Sequence, residues 1–137
     1  MKRKEFKEAL FETLNNVVDG MSYDDKMILV HNLLVDYEKD NEEKRDTSNK
    51  GSKWTDEELK IILSDAPTKE NCVKYARLFK RGYGSIEQIY RWSVTTTKEM
   101  TDERKSDSFI LQVKRIAKEL GCLLYTSPSP RDLSTSR

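Results

Sequence analysis

The side chains best suited to bind a ligand are concentrated between residues 80 and 91. Gln88 and Arg91 carry amide and guanidinium groups of the kind that pair with adenine and guanine in a major groove, and Lys80 can hold a phosphate. Solvation on a helix surface is an equally good account of each side chain taken alone. The predicted DNA-binding face consists of Lys80, Arg81, Ser85, Glu87, Gln88, Tyr90 and Arg91.

Positive charge is concentrated in the same part of the chain. From Lys69 to Glu99 the sequence has seven basic residues and three acidic ones, whereas residues 56–58 are all acidic. The formal net charge of the whole chain is only +1, so overall composition does not indicate a nucleic-acid partner. The local excess of cations predicts double-stranded DNA as the partner.

The sequence lacks the motifs of common catalytic and metal sites. His31 is the single histidine, and there is no H-E-x-x-H motif and no Gly-rich phosphate loop before a helix. Acidic pairs such as Asp24-Asp25 fall at predicted helix starts, where capping explains them. Cys72 is the one cysteine outside the C-terminal tail, so neither a disulfide nor a cysteine zinc site is expected. We predict no enzymatic activity and no cofactor.

Three helix starts position these side chains. Thr55 and Glu58 form a T-x-x-E capping box, Thr68 is an N-cap after Pro67, and Ser85 with Gln88 reads as an S-x-x-Q box. Apolar residues recur at helical spacing after each start, which predicts a tri-helical unit over residues 53–97. The residues predicted to face its core are Trp54, Leu59, Ile62, Leu63, Val73, Tyr75, Ala76, Leu78, Phe79, Ile86, Ile89 and Trp92.

This unit resembles the Myb/SANT-like family of helix-turn-helix domains over residues 53–93. Residues 54–59, WTDEEL, match the opening of those repeats, and residues 88–92, QIYRW, match the end of their third helix. The resemblance implies a third helix that enters the major groove of DNA. SANT-type members use the same fold to bind proteins, so a protein-interaction module is the alternative.

The N-terminal region predicts a helical hairpin over residues 1–39. Phe6, Leu10, Leu14 and Val17 form one apolar stripe of a helix from Lys2 to Val18, which Gly20 would terminate. Ser22 would cap a second amphipathic helix. The hairpin is expected to dimerise or dock a partner, or else to pack on the rest of the chain. Residues 40–52 are polar and aperiodic, which predicts a flexible linker.

The C-terminal region combines a connector, a helix and an atypical tail. Residues 98–107 read as a connector, and residues 108–121 as an amphipathic helix capped by Asp107 or Ser108. That helix is expected to cover the tri-helical unit or the N-terminal hairpin, or to bind a partner. Residues 122–137, CLLYTSPSPRDLSTSR, match one reading frame of a sequencing adapter, so we expect them to be non-native and the natural chain to be truncated near Gly121.

The sequence as a whole predicts an all-α protein of cytoplasmic location and microbial or viral origin, such as a bacterium or phage sampled by metagenomic assembly. No apolar run is long enough to span a bilayer, which predicts no membrane partner. DNA binding is the leading hypothesis. The alternatives are a protein-interaction module, such as a SANT-like adaptor or a phage-type inhibitor, and the DNA-reading fragment of a larger enzyme.

Overall fold

The structure, a computed structural model, describes residues 1–121 apart from the Thr97 side chain. The tail predicted to be non-native, residues 122–137, lies outside these described residues. The described part is entirely helical, which confirms the predicted fold class. Its elements are α1 (Arg3–Leu14), α2 (Tyr23–Asp40), a 3-10 turn (Glu42–Lys44), α3 (Asp56–Leu63), α4 (Lys69–Leu78), α5 (Tyr83–Val94), a second 3-10 turn (Thr97–Glu99), α6 (Asp102–Lys105) and α7 (Ser108–Glu119).

The chain divides into two units at Asp36. We call residues 1–36 the N-terminal arm and residues 37–121 the C-terminal module. The division lies within α2 and upstream of the segment 40–52 that was predicted to be the domain boundary. Each unit is described in turn.

The N-terminal arm consists of α1, a turn and most of α2, and it has no core. No residue of α1 or α2 is buried, and the two helices share very little contact surface. Helix α1 is shorter than predicted, because it ends at Leu14 and leaves Val17 outside it. The Asn16 side chain donates to the Thr13 carbonyl at 2.9 Å. Such local side-chain bonds compete with continued helix, so the chain turns before Gly20.

The turn of the arm is held by polar contacts. The Lys26 ammonium donates to the carbonyl oxygens of Leu14 at 2.7 Å and Asn16 at 3.0 Å, satisfying carbonyls that a helix end leaves open. The backbone N–H of Asp25 donates to Ser22 Oγ at 3.1 Å, as the predicted cap requires. The arm is therefore a well-formed pair of helices whose apolar side chains remain uncovered.

The C-terminal module has a core built from α3, α4, α5 and α7. The predicted caps of α3 and α4 are confirmed: Thr55 Oγ1 accepts from Glu58 N at 3.2 Å, and Thr68 Oγ1 accepts from Asn71 N at 3.1 Å. Leu78 was predicted to face the core and is instead exposed, and Trp92 is only partly buried against it. The side chains with no exposed surface are Leu59, Ile62, Ala76, Ile86, Ile89, Val113, Ile116 and Ala117.

Helix α7 is an integral part of this core. It packs on α3 and α5 and contributes Val113, Ile116 and Ala117 to the buried cluster. Its amphipathic pattern was predicted, and Asp107 caps it by accepting from the N–H groups of Phe109 and Ile110. The module is thus a four-helix unit, and the helix expected to cover the tri-helical unit does so.

Helix α5 begins earlier than predicted. Its first residue is Tyr83 and its N-cap is Gly82, so Ser85 lies within the first turn and does not cap the helix. The carboxylate of Glu42 accepts from the Tyr83 N–H at 2.6 Å and supplies the acceptor that Ser85 was expected to provide. Partial burial acts to raise the pKa of Glu42, but the bond from Tyr83 and the neighbouring Lys50 and Arg45 bring it below its ordinary value.

The segment predicted as a flexible linker, residues 40–52, is docked on the module. Asn49 donates from its backbone to the Lys80 carbonyl and from its side chain to the Phe79 carbonyl, both at 3.0 Å. Arg45 donates to the Ala76 carbonyl at 3.3 Å. The polar residues that suggested a linker instead donate hydrogen bonds to carbonyls at the end of α4. The last four carbonyls of a helix have no partner within the helix.

The turn between α4 and α5 has a strained residue at its centre. Lys80 has φ of +58°, a left-handed conformation that favours glycine. The Arg81 N–H donates to the Ala76 carbonyl at 2.9 Å and the Lys80 N–H to the Arg77 carbonyl at 3.3 Å, which is the Schellman pattern. This turn fixes the direction in which Arg81 and α5 leave α4.

Candidate functional site

The exposed face of α5 holds three of the predicted DNA-binding residues. Glu87, Gln88 and Arg91 are exposed on adjacent turns of the helix. The Arg91 guanidinium lies 3.4 Å from the Glu87 carboxylate, an exposed pair of the kind that contributes little to stability. The face therefore offers one amide and one guanidinium group, and the guanidinium group is paired with an acid.

Tyr90 was predicted to belong to the binding face, and the structure corrects that prediction. It is only 8% exposed, and its hydroxyl donates to the Ile62 carbonyl at 2.8 Å. The helix spacing that brings Ile86, Ile89 and Ser93 inward also brings Tyr90 inward. Tyr90 therefore connects α5 to α3 inside the core and is not available to a nucleic acid.

Arg81 was also assigned to the binding face and is instead 4% exposed. Its guanidinium carbon lies 3.7 Å from the centroid of the Trp54 ring, a cation–π stack. Its two terminal nitrogens donate to the carbonyls of Ser52 at 2.6 Å and Lys53 at 3.0 Å. Arg81 thus anchors the chain that leads into α3, and burial lowers its pKa.

The remaining cations around α4 are paired with carboxylates. Lys80 lies 3.5 Å from Asp46, Lys74 lies 3.1 Å from Asp65, and Arg77 pairs with Glu38. Asp46 and Glu38 come from segments before residue 53, which the count of charges over residues 69–99 left out. The local positive excess expected from the sequence is therefore largely balanced in space.

A cavity of about 520 Å³ opens beside Trp54 where the starts of α3, α5 and α7 come together. Arg81, Ser85 and Gln88 line it, so three of the seven predicted site residues do meet at one place. Trp54 and Phe109 provide its aromatic walls. The remaining lining residues are Gly51, Ser52, Lys53, Ser108 and Gln112.

Residues 1–121 show no arrangement suited to a metal. No group of three or more His, Cys, Asp or Glu side chains lies together in this described part. His31 is exposed on α2, and Cys72 is buried with a thiol whose pKa is raised by burial. No helix within these residues is long and apolar enough to cross a membrane.

The apolar surface of the N-terminal arm is the most prominent feature outside the module. Eleven large apolar side chains are exposed there, including Val17 at 85% and Tyr23 at 70%. The apolar stripe of α1 was predicted, but its lack of any covering helix was not, because the sequence does not reveal which faces meet. The full set is Met1, Phe6, Leu10, Phe11, Val17, Val18, Met21, Tyr23, Ile28, Leu33 and Leu34.

The fold is that of an all-helical protein with an N-terminal two-helix arm and a C-terminal module whose core is built from four helices. Residues 48–123 match the family described as the uncharacterised protein PM1205 C-terminal domain, so the chain belongs to that family. It is 45% identical over 121 residues to the uncharacterized protein PM1205 of Pasteurella multocida (strain Pm70), which covers 88% of this chain and 97% of that protein. No solved structure matches the chain.

The two matches differ in extent. The family match contains α3 to α7 and therefore every helix of the four-helix core. Only sixteen residues of this chain fall outside the longer alignment, so it reaches well into the 47 residues that precede the family match. The similarity to the Pasteurella protein consequently includes part of the arm.

Proposed function

We propose that this protein is a protein-interaction module that self-associates through its N-terminal arm. The observation that carries the proposal is that neither helix of the arm has a buried residue, although eleven large apolar side chains lie on it. Isolated helices of 12 to 15 residues are marginal in water, and helices in proteins gain most of their stability from burying an apolar face. A covering partner would supply that burial.

The available area suits a stable interface. The eleven side chains together offer on the order of 1,000 Å² of accessible surface, if each exposes roughly 90 Å². A stable interface needs about 800 Å² from each partner. A second copy of the arm could therefore satisfy this requirement without contributions from the module.

The charges of the arm favour a second copy in the antiparallel direction. Lys2, Arg3, Lys4 and Lys7 make the start of α1 basic, and Asp19, Asp24 and Asp25 make the turn before and into α2 acidic. The two groups are separated by α1, which is about 18 Å long at 1.5 Å per residue. Antiparallel pairing of two arms places the basic end of each against the acidic turn of the other, as a two-fold interface requires.

The test measures the mass of the whole chain in solution by analytical ultracentrifugation over a range of concentrations. We expect a dimer in the wild type, and a shift towards monomer in Leu10→Glu and Leu34→Glu, because a charge is costly to bury in an apolar interface. Leu78→Glu, an exposed leucine of the module, is the matched control and should remain dimeric. A monomeric wild type at about 100 μM would overturn the proposal.

Charge reversal tests the antiparallel direction separately. Lys4→Glu with Lys7→Glu should weaken the dimer by roughly tenfold, and so should Asp24→Lys with Asp25→Lys. Combining all four changes should restore much of the lost affinity, because opposite charges then face each other again. If the two losses of dimer affinity instead add in the combined variant, the antiparallel pairing is ruled out, but self-association is not.

DNA binding by α5 is the second candidate function. Gln88 and Arg91 are exposed one turn apart and have the chemistry for adenine and guanine. Titration of the chain with duplex DNA at two salt concentrations tests this, since phosphate contacts make log affinity fall with log salt. Arg91→Ala should weaken binding without loss of thermal stability. No binding at low salt would leave protein interaction as the function.

A cytoplasmic location accompanies both candidates as a proposal. The free thiol of Cys72, buried and without a disulfide in the described part, supports a reducing compartment. Fluorescence microscopy of a tagged chain in a bacterial cell tests it, and a signal confined to the envelope would contradict it.

A further inference from the structure

The cavity beside Trp54 has the composition of an anion site. It is bordered by three serines, by Gln88 with its amide donor, and by the cations Lys53 and Arg81. Gln112 also lines it, with its amide nitrogen bonded to the Trp54 carbonyl and to Asp56. None of the residues that line it is acidic. Its volume of about 520 Å³ lies within the range of small-molecule pockets. An anion entering it would meet donors on several sides and no carboxylate among the lining residues.

Arg81 is the buried charge that such an anion would compensate. Arg81 is 4% exposed, and within the described residues no carboxylate lies at ion-pair distance from it, although the charge of Glu58 acts on it from farther away. Its terminal nitrogens bond only to neutral carbonyl oxygens, and its Nε is buried without a hydrogen-bond partner. Burying an unpaired charge is costly, so a lining guanidinium of this kind is suited to a negatively charged ligand.

The start of α5 adds two neutral donors to the cavity. This helix has no acidic residue of its own in its first turn, and the Glu42 carboxylate accepts from its first N–H at 2.6 Å. Ser85 in that first turn and Gln88 one turn later line the cavity. Because the Glu42 carboxylate already neutralises the start of α5, the helix contributes these two side chains to the cavity and not its dipole.

We infer that this cavity binds the phosphate group of a ligand through Arg81, Ser85, Gln88 and Lys53, which all line it. Phosphate accepts hydrogen bonds from guanidinium, hydroxyl and amide groups simultaneously, which matches the donors present. The aromatic walls, Trp54 and Phe109, suit a flat organic group attached to the phosphate. A free phosphorylated small molecule and the backbone of a nucleic acid share this chemistry, and the experiment distinguishes them.

Trp54 provides the readout, because it lies in the cavity wall and stacks on Arg81. A Trp92→Phe background removes the other tryptophan of the chain, so that the fluorescence reports Trp54 alone. The probes are adenosine monophosphate, adenosine, inorganic phosphate and a short DNA duplex. We expect saturable changes with adenosine monophosphate and weaker ones with inorganic phosphate, but none with adenosine, which lacks the anion.

Variants of exposed lining residues test the site without disturbing the core. Lys53→Gln and Gln88→Ala should each weaken binding of adenosine monophosphate by about tenfold, with unchanged melting temperature. Lys118→Gln removes an exposed cation that does not line the cavity and should bind as the wild type does. Arg81→Lys keeps the charge but loses the planar donors, and should abolish binding if the variant remains folded by circular dichroism.

The results distinguish a phosphorylated small molecule, the backbone of a nucleic acid and the absence of a phosphate site. Binding of adenosine monophosphate that Lys53→Gln weakens supports a small-molecule site. Binding of duplex DNA alone, weakened by the same variant, supports a phosphate site for the nucleic-acid backbone. No saturable change with any probe up to about 10 mM, or binding indifferent to Lys53→Gln and Gln88→Ala, would overturn the inference.

Discussion

The arm and the module use similar helices to different ends. Both contain amphipathic helices of 12 residues, α1 in the arm and α7 in the module. Helix α7 buries four residues against its neighbours, whereas α1 buries none. An apolar stripe therefore predicts that a helix has a face to cover, but it does not predict what covers it. In the module neighbouring helices bury these faces, whereas α1 and α2 of the arm do not bury each other's.

The largest expected difference between the two regions comes from matched truncations. Ile116→Ala removes a fully buried side chain of α7 and should lower the free energy of unfolding of the module by about 3 kcal/mol, as large-to-small core substitutions do. Leu111→Ala, on the exposed face of the same helix, should change it by less than about 0.5 kcal/mol. Urea unfolding followed by tryptophan fluorescence measures both.

The corresponding truncation in the arm is Leu34→Ala. Leu34→Ala should leave the unfolding of the module unchanged, since Leu34 lies in the separate unit and is 56% exposed. A loss with Leu34→Ala as large as that with Ile116→Ala would mean that the arm belongs to the same cooperative unit. The prediction that the arm and the module unfold independently would then be wrong.

A smaller effect of opposite sign is expected at the turn between α4 and α5. Lys80→Gly relieves a left-handed conformation that costs a residue with a side chain about 1 kcal/mol, and it should raise the free energy of unfolding by up to that amount. Loss of the exposed pair with Asp46 offsets little of this gain. Lys80→Ala keeps the strain and is the control. Equal stability of the two variants would show that the conformation carries no cost.

The smallest expected effect concerns acid stability. The hydroxyl of Tyr75 and the ammonium of Lys74 donate to Asp65 and lower its pKa from 3.8 to about 2. A depressed pKa means that the stabilisation is present above pH 4 and is lost as the pH falls towards 2. The melting temperature of Asp65→Asn should therefore lie below that of the wild type at pH 6 and converge with it near pH 2. A difference that stays constant with pH would contradict this account.

The parts of the fold that the sequence predicted are those determined by nearby residues. Thr55 and Thr68 cap their helices through partners three residues away, and Asp107 caps α7 in the same way. The start of α5 was predicted wrongly because the acceptor for Tyr83 comes from Glu42, 41 residues earlier in the chain. No local pattern around Ser85 contains that information.

The candidate site was predicted in part for the same reason. Gln88 and Arg91 are exposed, as helical spacing from the buried Ile86 and Ile89 indicates. Arg81 was misplaced because its burial depends on Trp54, which is distant in sequence and stacks on it only in the folded module. The cavity depends on the approach of three helix starts and could not be located from spacing alone.

The docked segment between residues 40 and 52 bears on where the chain can be cut. Lys44, Arg45 and Lys50 are candidate trypsin sites, yet Arg45 and Asn49 are hydrogen-bonded to carbonyls at the end of α4, which should slow cleavage there. A fragment that starts at Lys53 would lose Glu42 and leave the first N–H of α5 without its acceptor. A fragment that starts at Tyr37 keeps Glu42 and its bond to the Tyr83 N–H. The boundary for expressing the module alone therefore lies inside α2 and not in the polar stretch that follows it.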